Sequence, residues 1–159
     1  MLVISPPSQH NASGTYNFVI VSPMADSDWP SNGLSGMSSF HHLLDSLTSM
    51  MLGHLVVQLC LVFRVLGTDT FLAYVQCFNV TAPNAASGLC GLKHAVRTNG
   101  MHIGDIIPLS HVCSPTHIIL HFGKAANARL NSHISYEFSL EFWLNKYWTK
   151  QFYYCLCPS

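Results

Sequence analysis

The run Leu55–Leu66, LVVQLCLVFRVL, holds two polar side chains, Gln58 and Arg64, in twelve residues. A stretch so uniformly apolar cannot rest with one face in water, so it is expected as a β-strand buried on both faces. Val56, Val57, Val62 and Val65 suit an extended backbone, because β-branched side chains pack well on a pleated surface. Gly67-Thr68-Asp69-Thr70 follows as a turn and Phe71–Val80 as a second strand, so the two segments are expected to pair as a hairpin.

The flanking sequence predicts shorter elements. Residues 1–38 are rich in Ser, Pro, Gly and Asn and read as a disordered leader with one strand-like run at Tyr16–Val21. Ser39 can cap a helix over 39–53, in which Phe40, Leu43, Leu44, Leu47, Met50 and Met51 form an apolar stripe and Gly53 is the terminator. Residues 81–91 read as a loop, Ile106–Val112 and His117–Phe122 as strands broken at Ser114-Pro115, and Lys124–His133 as a polar loop. Leu140, Trp143, Leu144, Tyr147, Trp148 and Phe152 recur at helical spacing, which predicts a C-terminal aromatic helix from about residue 139, capped by Ser139. Tyr136, Phe138 and Leu140 alternate and would suit the start of a strand. The expected fold class is therefore α+β: a small antiparallel β unit of about four strands flanked by two helices, with its β-rich module at 54–157.

Charge limits what such a chain can do. Charged residues are 9% of the whole, against about 25% in ordinary soluble domains. Net charge is zero with histidines neutral, which gives no whole-molecule attraction to nucleic acid. The halves differ, however: Arg64 faces four aspartates in residues 1–90, while six bases face three acids in residues 91–159. Lys124, Arg129, Lys146 and Lys150 are thus the candidate nucleic-acid contacts. Leu47–Phe63 is interrupted by Thr48, Ser49, Gly53, His54 and Gln58 and falls short of the roughly 20 apolar residues of a spanning helix, so no membrane partner is expected.

The chemistry-bearing residue types lack the spacing that chemistry needs. Six cysteines and ten histidines contain no C-x-x-C pair, and Cys155-Leu156-Cys157 is too short for a zinc knuckle. His117 and His121 would share a helix face, but THIILHF reads as a strand. The opening residues carry Pro6, Pro7, Ser8 and Gln9 rather than the apolar core of a signal peptide, so a secreted disulfide framework is not expected. No Gly-rich phosphate loop, nucleophile elbow or H-E-x-x-H motif is present, and the seven acids are scattered singly. No enzyme, metal, cofactor or small-molecule substrate is expected. The aromatic block could stack bases, with Lys146 and Lys150 on phosphates. The competing expectation is that Trp143, Leu144, Tyr147 and Trp148 form the packing face that closes the β unit.

Four groups of residues carry a resemblance. They are Phe63-Arg64-Val65 with Leu72-Ala73-Tyr74-Val75-Gln76, Gly104-Asp105-Ile106-Ile107-Pro108-Leu109-Ser110, His121-Phe122-Gly123-Lys124-Ala125-Ala126-Asn127, and Glu141-Phe142-Trp143-Leu144-Asn145-Lys146-Tyr147-Trp148. In this order they resemble the C-terminal tail of transposase-like proteins of Plavaka-type fungal DNA transposons, over roughly the last 100 residues. The resemblance implies an upstream zinc-finger region and RNase H-like core, no residue of which maps onto this chain. It implies a non-catalytic remnant, or else an accessory module contacting DNA, chromatin or a transposase partner, inside the cell and in the nucleus. A small Cys/His metalloprotein or hydrolase is the third alternative. Gly104, Asp105, Pro108, Leu109, Phe122, Gly123, Trp143, Leu144, Asn145, Lys146 and Tyr147 are then structural motif positions. Cys60, Cys77 and Cys113 stand where related tails carry arginine, and Leu120 where they carry proline, which reads as mutational decay of a transposon copy.

Overall fold

The computed structural model describes residues 17–22, 54–122, 135–150 and 153–154. Eight strands make one mostly antiparallel sheet: β1 (Asn17–Val21), β2 (Leu55–Arg64), β3 (Phe71–Pro83), β4 (Cys90–His94), β5 (Gly104–Pro108), β6 (Val112–Thr116), β7 (Ile118–Leu120) and β8 (Glu141–Leu144). A 3-10 turn, Leu109–His111, joins β5 to β6, and a single helical turn, Ser135–Phe138, precedes β8.

The strand order runs β6-β1-β2-β3-β4-β8-β7, with β5 beside β3. β6 and β7 lie at opposite ends of this path, yet only His117 separates them in the chain. Adjacent Cα atoms are about 3.8 Å apart, so the two ends of the sheet must meet and the sheet rolls back on itself. The N–H of Asn145 donates to the carbonyl of His117 at 3.0 Å and helps hold the closure. The same logic closes a second roll. β5-β3-β2-β1-β6 is a continuous path whose ends are joined by the three residues Leu109–His111. The N–H of Ser22 donates to the carbonyl of His111 at 2.9 Å.

β1, β2 and β3 are therefore a wall shared by two rolls of opposite curvature. Phe18, Ile20, Val56, Phe78, Leu92, Ile118, Phe142 and Leu144 fill the first roll. Val19, Val21, Val57, Leu59, Ala73, Val75, Cys77 and Ala95 fill the second, with Ile103, Ile107, Leu109 and Val112 packed against them. Alternate residues of one strand point to opposite faces, so FVIV and VVQL are buried on both faces because each face belongs to a different core. Fully burying a side chain such as Val, Leu or Phe stabilises by about 1.5–3 kcal/mol, which makes this wall the densest source of stability in the chain.

β3 is long enough to serve both rolls on one edge. Its residues 72–76 pair with β5 and its residues 78–83 with β4. At the fork, the N–H of Cys77 donates to Ile103 O at 3.0 Å, and Cys77 O accepts from the N–H of Ala95 at 2.9 Å. Bulges bend the strands into the rolls. Cys60 is the extra residue between the Leu59–Val75 and Leu61–Tyr74 pairs, and Cys113 the extra one between Ile20–Ser114 and Val21–Val112. Such an insertion sharpens local twist and bends the strand. Gly67 and Gly100 take φ values of +79° and +80° in the β2–β3 turn and the turn beyond β4, a region that side chains disfavour.

Several expectations are corrected. The fold is not a four-strand unit flanked by two helices: among the described residues no helix is as long as seven residues. The helix expected from residue 139 is a strand over Glu141–Leu144, with Phe142 and Leu144 buried and Glu141 and Trp143 partly open. Two periods coexist in this block, and ladder pairing with β4 and β7 selects the period of two. Ser139 caps no helix; its hydroxyl donates to Glu141 O at 3.2 Å. Ser114-Pro115 is no break but lies inside β6, whose edge position beyond β1 tolerates a proline. The strand expected over Ile106–Val112 is split by the 3-10 turn. The β2–β3 hairpin forms as expected, and within the strand-like run Asn17–Val21 is an internal strand, Tyr16 lying outside the described residues. The helix expected over 39–53 lies outside the described residues. No helix among the described residues is long and apolar enough to cross a membrane.

One polar group sits against the first core. The His94 ring lies 4.6 Å from Phe78 and 5.5 Å from Phe142, and stacks on His102 at 4.2 Å and 6°. Among the described residues neither of its ring nitrogens has a hydrogen-bond partner. Burial lowers its pKa from 6.5 to about 4, and His102 pushes the same way; the Tyr136 backbone opposes the shift without the geometry of a hydrogen bond. His102 is held separately, its Nδ1 at 3.1 Å from Gln76 Oε1.

Two outcomes follow from this packing. Phe142→Ala empties the centre of the first roll and is expected to cost about 3–5 kcal/mol in urea unfolding; a loss below about 1 kcal/mol would contradict the role given to it. Between pH 6.5 and about 4 the unfolded chain binds a proton at residue 94 that the folded chain refuses. Stability from this group is therefore complete above pH 6.5 and falls as pH drops toward 4. Urea midpoints measured across that window should fall less steeply in His94→Phe than in the parent, and identical slopes would exclude His94 as the source.

Candidate functional site

Two surfaces stand out once the cores are filled. The first begins where β8 ends. Asn145 organises the chain there: its Oδ1 accepts from the N–H of Tyr147 at 3.1 Å, its carbonyl accepts from the N–H of Trp148 at 3.1 Å, and its Nδ2 lies 3.1 Å from His117 Nδ1. A short polar side chain that bonds the backbone two residues on fixes a turn. His117 then stacks on Trp148, with centroids 5.0 Å apart and planes at 15°.

This turn leaves aromatic rings in solvent. Tyr147 is 64% exposed, Trp148 48% and Tyr154 65%. Tyr147 stacks on Tyr153 at 5.7 Å, and Tyr153 meets Tyr154 edge-on at 5.6 Å. The ammonium of Lys146 lies 5.4 Å from the Tyr147 centroid and 6.0 Å from that of Tyr153, within range of a cation–π contact. Lys150 is exposed in the same segment. The expected apolar face is thus divided: Leu144 is in the core, whereas Tyr147 and Trp148 are outside it. Of the four candidate cations, Lys146 and Lys150 belong to this segment, and Lys124 and Arg129 lie outside the described residues.

The second surface is the outer side of the second roll. Pairing places Leu61 beside Tyr74, Tyr74 beside Ile106, Phe63 beside Leu72 and Leu72 beside Pro108, all on the face opposite Ala73 and Val75. Leu61 is 44% exposed, Tyr74 37% and Ile106 56%. The same sheet face is covered farther along, at Val56 and Phe78, by the first roll. Nothing in the spacing of Leu61, Tyr74 and Ile106 marks them as neighbours, since only strand pairing unites them. One signal is present in the sequence: β2 is apolar at both parities beyond Cys60, although only one parity faces a core.

The motif positions acquire physical roles. A Cβ at Gly104 would meet the Tyr74 hydroxyl at 2.5 Å and its ring at 2.7 Å, so the glycine makes room for a cross-strand aromatic. Asp105 Oδ1 accepts from the N–H of Ile106 at 2.7 Å, which occupies a donor on an edge strand. Pro108 closes the β5 ladder and Leu109 packs on the second core. Trp143 lies on the outer face against His121, 4.6 Å between centroids. Glu141 bridges His121 Nδ1 at 3.0 Å and Lys93 Nζ at 2.6 Å. The Lys93 and His121 contacts hold its carboxyl below the usual range. An exposed pair of this kind contributes little to stability. Phe122 is exposed, and Gly123 lies outside the described residues.

Among the described residues no thiol is shifted toward its anion. Burial pushes Cys60 up to about 11 and Cys77 up to about 12, and it raises Cys90 and Cys113 as well. For Cys77, Asp105 and Cys60 add to the effect, while for Cys90 Lys146 opposes it. Among the described residues no three His, Cys, Asp or Glu side chains are placed to hold a metal ion.

Comparison with known proteins adds one match. A family model described as "Domain of unknown function (DUF6830)" matches residues 1–43 and 47–95, a span that contains β1 to β4 and therefore the shared wall. No curated protein matches the chain, and no solved structure does. The Gly104–Ser110 and Glu141–Trp148 motifs lie beyond the matched span. With more than half of its residues matched, the chain belongs to the DUF6830 family, a domain of unknown function.

Proposed function

We propose that this chain is a non-catalytic module derived from the tail of a transposon-encoded protein, and that it acts by docking rather than by chemistry. The ordered motifs in its last 100 or so residues support the ancestry. The observation that carries the docking role is the apolar face on which Leu61, Tyr74 and Ile106 are exposed, with Phe63, Leu72 and Pro108 half-buried beside them. A contiguous apolar patch on a folded unit marks an interaction surface more often than a scatter of single side chains does. Its partner is a protein with a matching apolar surface, and the ancestry makes the transposase polypeptide the first choice. Three of the cysteines fit a decayed copy: Cys60 and Cys113 are bulge residues, Cys77 lies in a core near Cys60 and Asp105, and burial raises all three thiols.

Two measurements test the two halves of the proposal. Thiols pushed to about 11 and about 12 are almost wholly protonated at neutral pH. Iodoacetamide should therefore label Cys60 and Cys77 at least about tenfold more slowly than a peptide thiol with the reference pKa. One cysteine labelling faster than that reference would restore a nucleophilic role. For docking, the full chain is run with the purified transposase on a size-exclusion column with light scattering. The parent chain should co-elute, and Leu61→Lys/Ile106→Lys should bind at least about tenfold more weakly. A parent chain that elutes alone would leave a remnant with no docking function.

A further inference from the structure

We infer that the Asn145–Trp148 turn, with Tyr153 and Tyr154, forms a stacking platform for single-stranded nucleic acid. This goes beyond the docking face and does not depend on it or on the ancestry. Three observations converge. The first is solvent exposure of large planar rings: Tyr147 and Tyr154 are well over half open and Trp148 nearly half, although the chain has two cores to bury them in. A folded chain that leaves such rings outside forgoes the stabilisation their burial would bring. The second is preorganisation. Asn145 fixes the turn with its side chain and its carbonyl, and His117 backs the Trp148 ring, so the rings are held before any ligand arrives. A surface ordered in advance avoids part of the entropic cost of binding.

The third observation is charge. Lys146 sits over two tyrosine rings and Lys150 is four residues on, while no Asp or Glu occurs between Asn145 and Tyr154. The nearest acid in sequence, Glu141, is engaged by Lys93 and His121. An aromatic surface with only cations beside it complements a ligand with flat faces and negative links between them. Single strands offer unpaired bases for the rings and phosphates for the ammonium groups, and stacking is worth about 1–3 kcal/mol per base. Duplex DNA hides its base faces, and a neutral sugar polymer makes no use of the lysines.

The test uses the full chain and fluorescein-labelled oligonucleotides of about ten nucleotides. Oligo-dT, oligo-U and a dT·dA duplex are titrated at about 50 mM salt by anisotropy, with quenching of tryptophan fluorescence as a second readout. Either single strand should bind more tightly than the duplex, and the tighter of the two identifies the sugar. Two phosphate contacts predict about a sevenfold loss of affinity between 50 and 200 mM salt, and Lys150→Ala should roughly halve the salt slope. Tyr147→Ala should lose about five- to hundredfold and Tyr147→Phe almost nothing, since the ring rather than the hydroxyl is used. Leu61→Lys/Ile106→Lys should bind like the parent, which separates failure here from failure of the docking face. Absence of binding at low salt, equal binding of duplex and single strands, or a Tyr147→Ala/Tyr154→Ala chain that binds like the parent would each overturn the platform.

Discussion

Burial on both faces of β1 and of the stretches of β2 and β3 beside it, Val56–Leu59 and Cys77–Phe78, is the constraint from which the rest of the architecture follows. A single sheet packed on one side would leave Val19, Val21, Val57 and Leu59, or else Phe18, Ile20 and Val56, against water. The chain resolves this by rolling the sheet in both directions from a common wall. Each roll needs its end strands brought together, and the connections are short enough to force it: His117 for one and Leu109–His111 for the other. The rolls bring these end strands together without pairing them to one another, so β5, β6 and β7 each keep an edge, which Pro115 in β6 and the Asp105 side chain in β5 help to blunt.

The wall was legible in the sequence where its pattern was local. LVVQLCLVFRVL announces a strand, and its expected burial on both faces holds over Val56–Leu59 but fails from Leu61 onward; the Gly67 turn announces the hairpin, and Tyr16–Val21 stands out as strand-like within a Ser- and Pro-rich segment. What failed was the C-terminal block. Leu140, Trp143, Leu144, Tyr147 and Trp148 fit a helical period, but Phe142 and Leu144 fit a period of two equally well, and aromatics favour strands. The deciding term is nonlocal: Gly91, Leu92 and Lys93 on one side and Ile118, Ile119 and Leu120 on the other offer ladder partners. No window of sequence contains that information. The fork at Cys77 is hidden for the same reason, since Ala95 and Ile103 meet it only after both rolls have formed.

The motif words illustrate how function-like signatures can be structural. Gly104-Asp105-Ile106-Ile107-Pro108 looks like a site because it combines a glycine, an acid and a proline. Each has a local task instead: room for the Tyr74 ring, an acceptor for an edge N–H, and an end to the ladder. Asn145 belongs to the same class, a residue whose side chain shapes backbone. The difference is what each shapes. β5 positions an apolar face, whereas Asn145 positions rings next to lysines.

The candidate surfaces were less legible than the fold because exposure is the residue of packing, known only after the cores are assigned. Leu61 and Leu59 are indistinguishable by type, yet the bulge at Cys60 turns Leu61 outward onto the face of Tyr74 and leaves Leu59 fully buried. Were Cys60 paired in the ladder rather than bulged out of it, position 61 would keep the parity of Leu59 and point into the second core, and the outer face would lose its central member. The bulge therefore does two things at once, bending β2 into its roll and assembling the apolar face. A register slip that drew Cys60 into the ladder would alter curvature and surface together, which couples the integrity of the wall to the surface it carries.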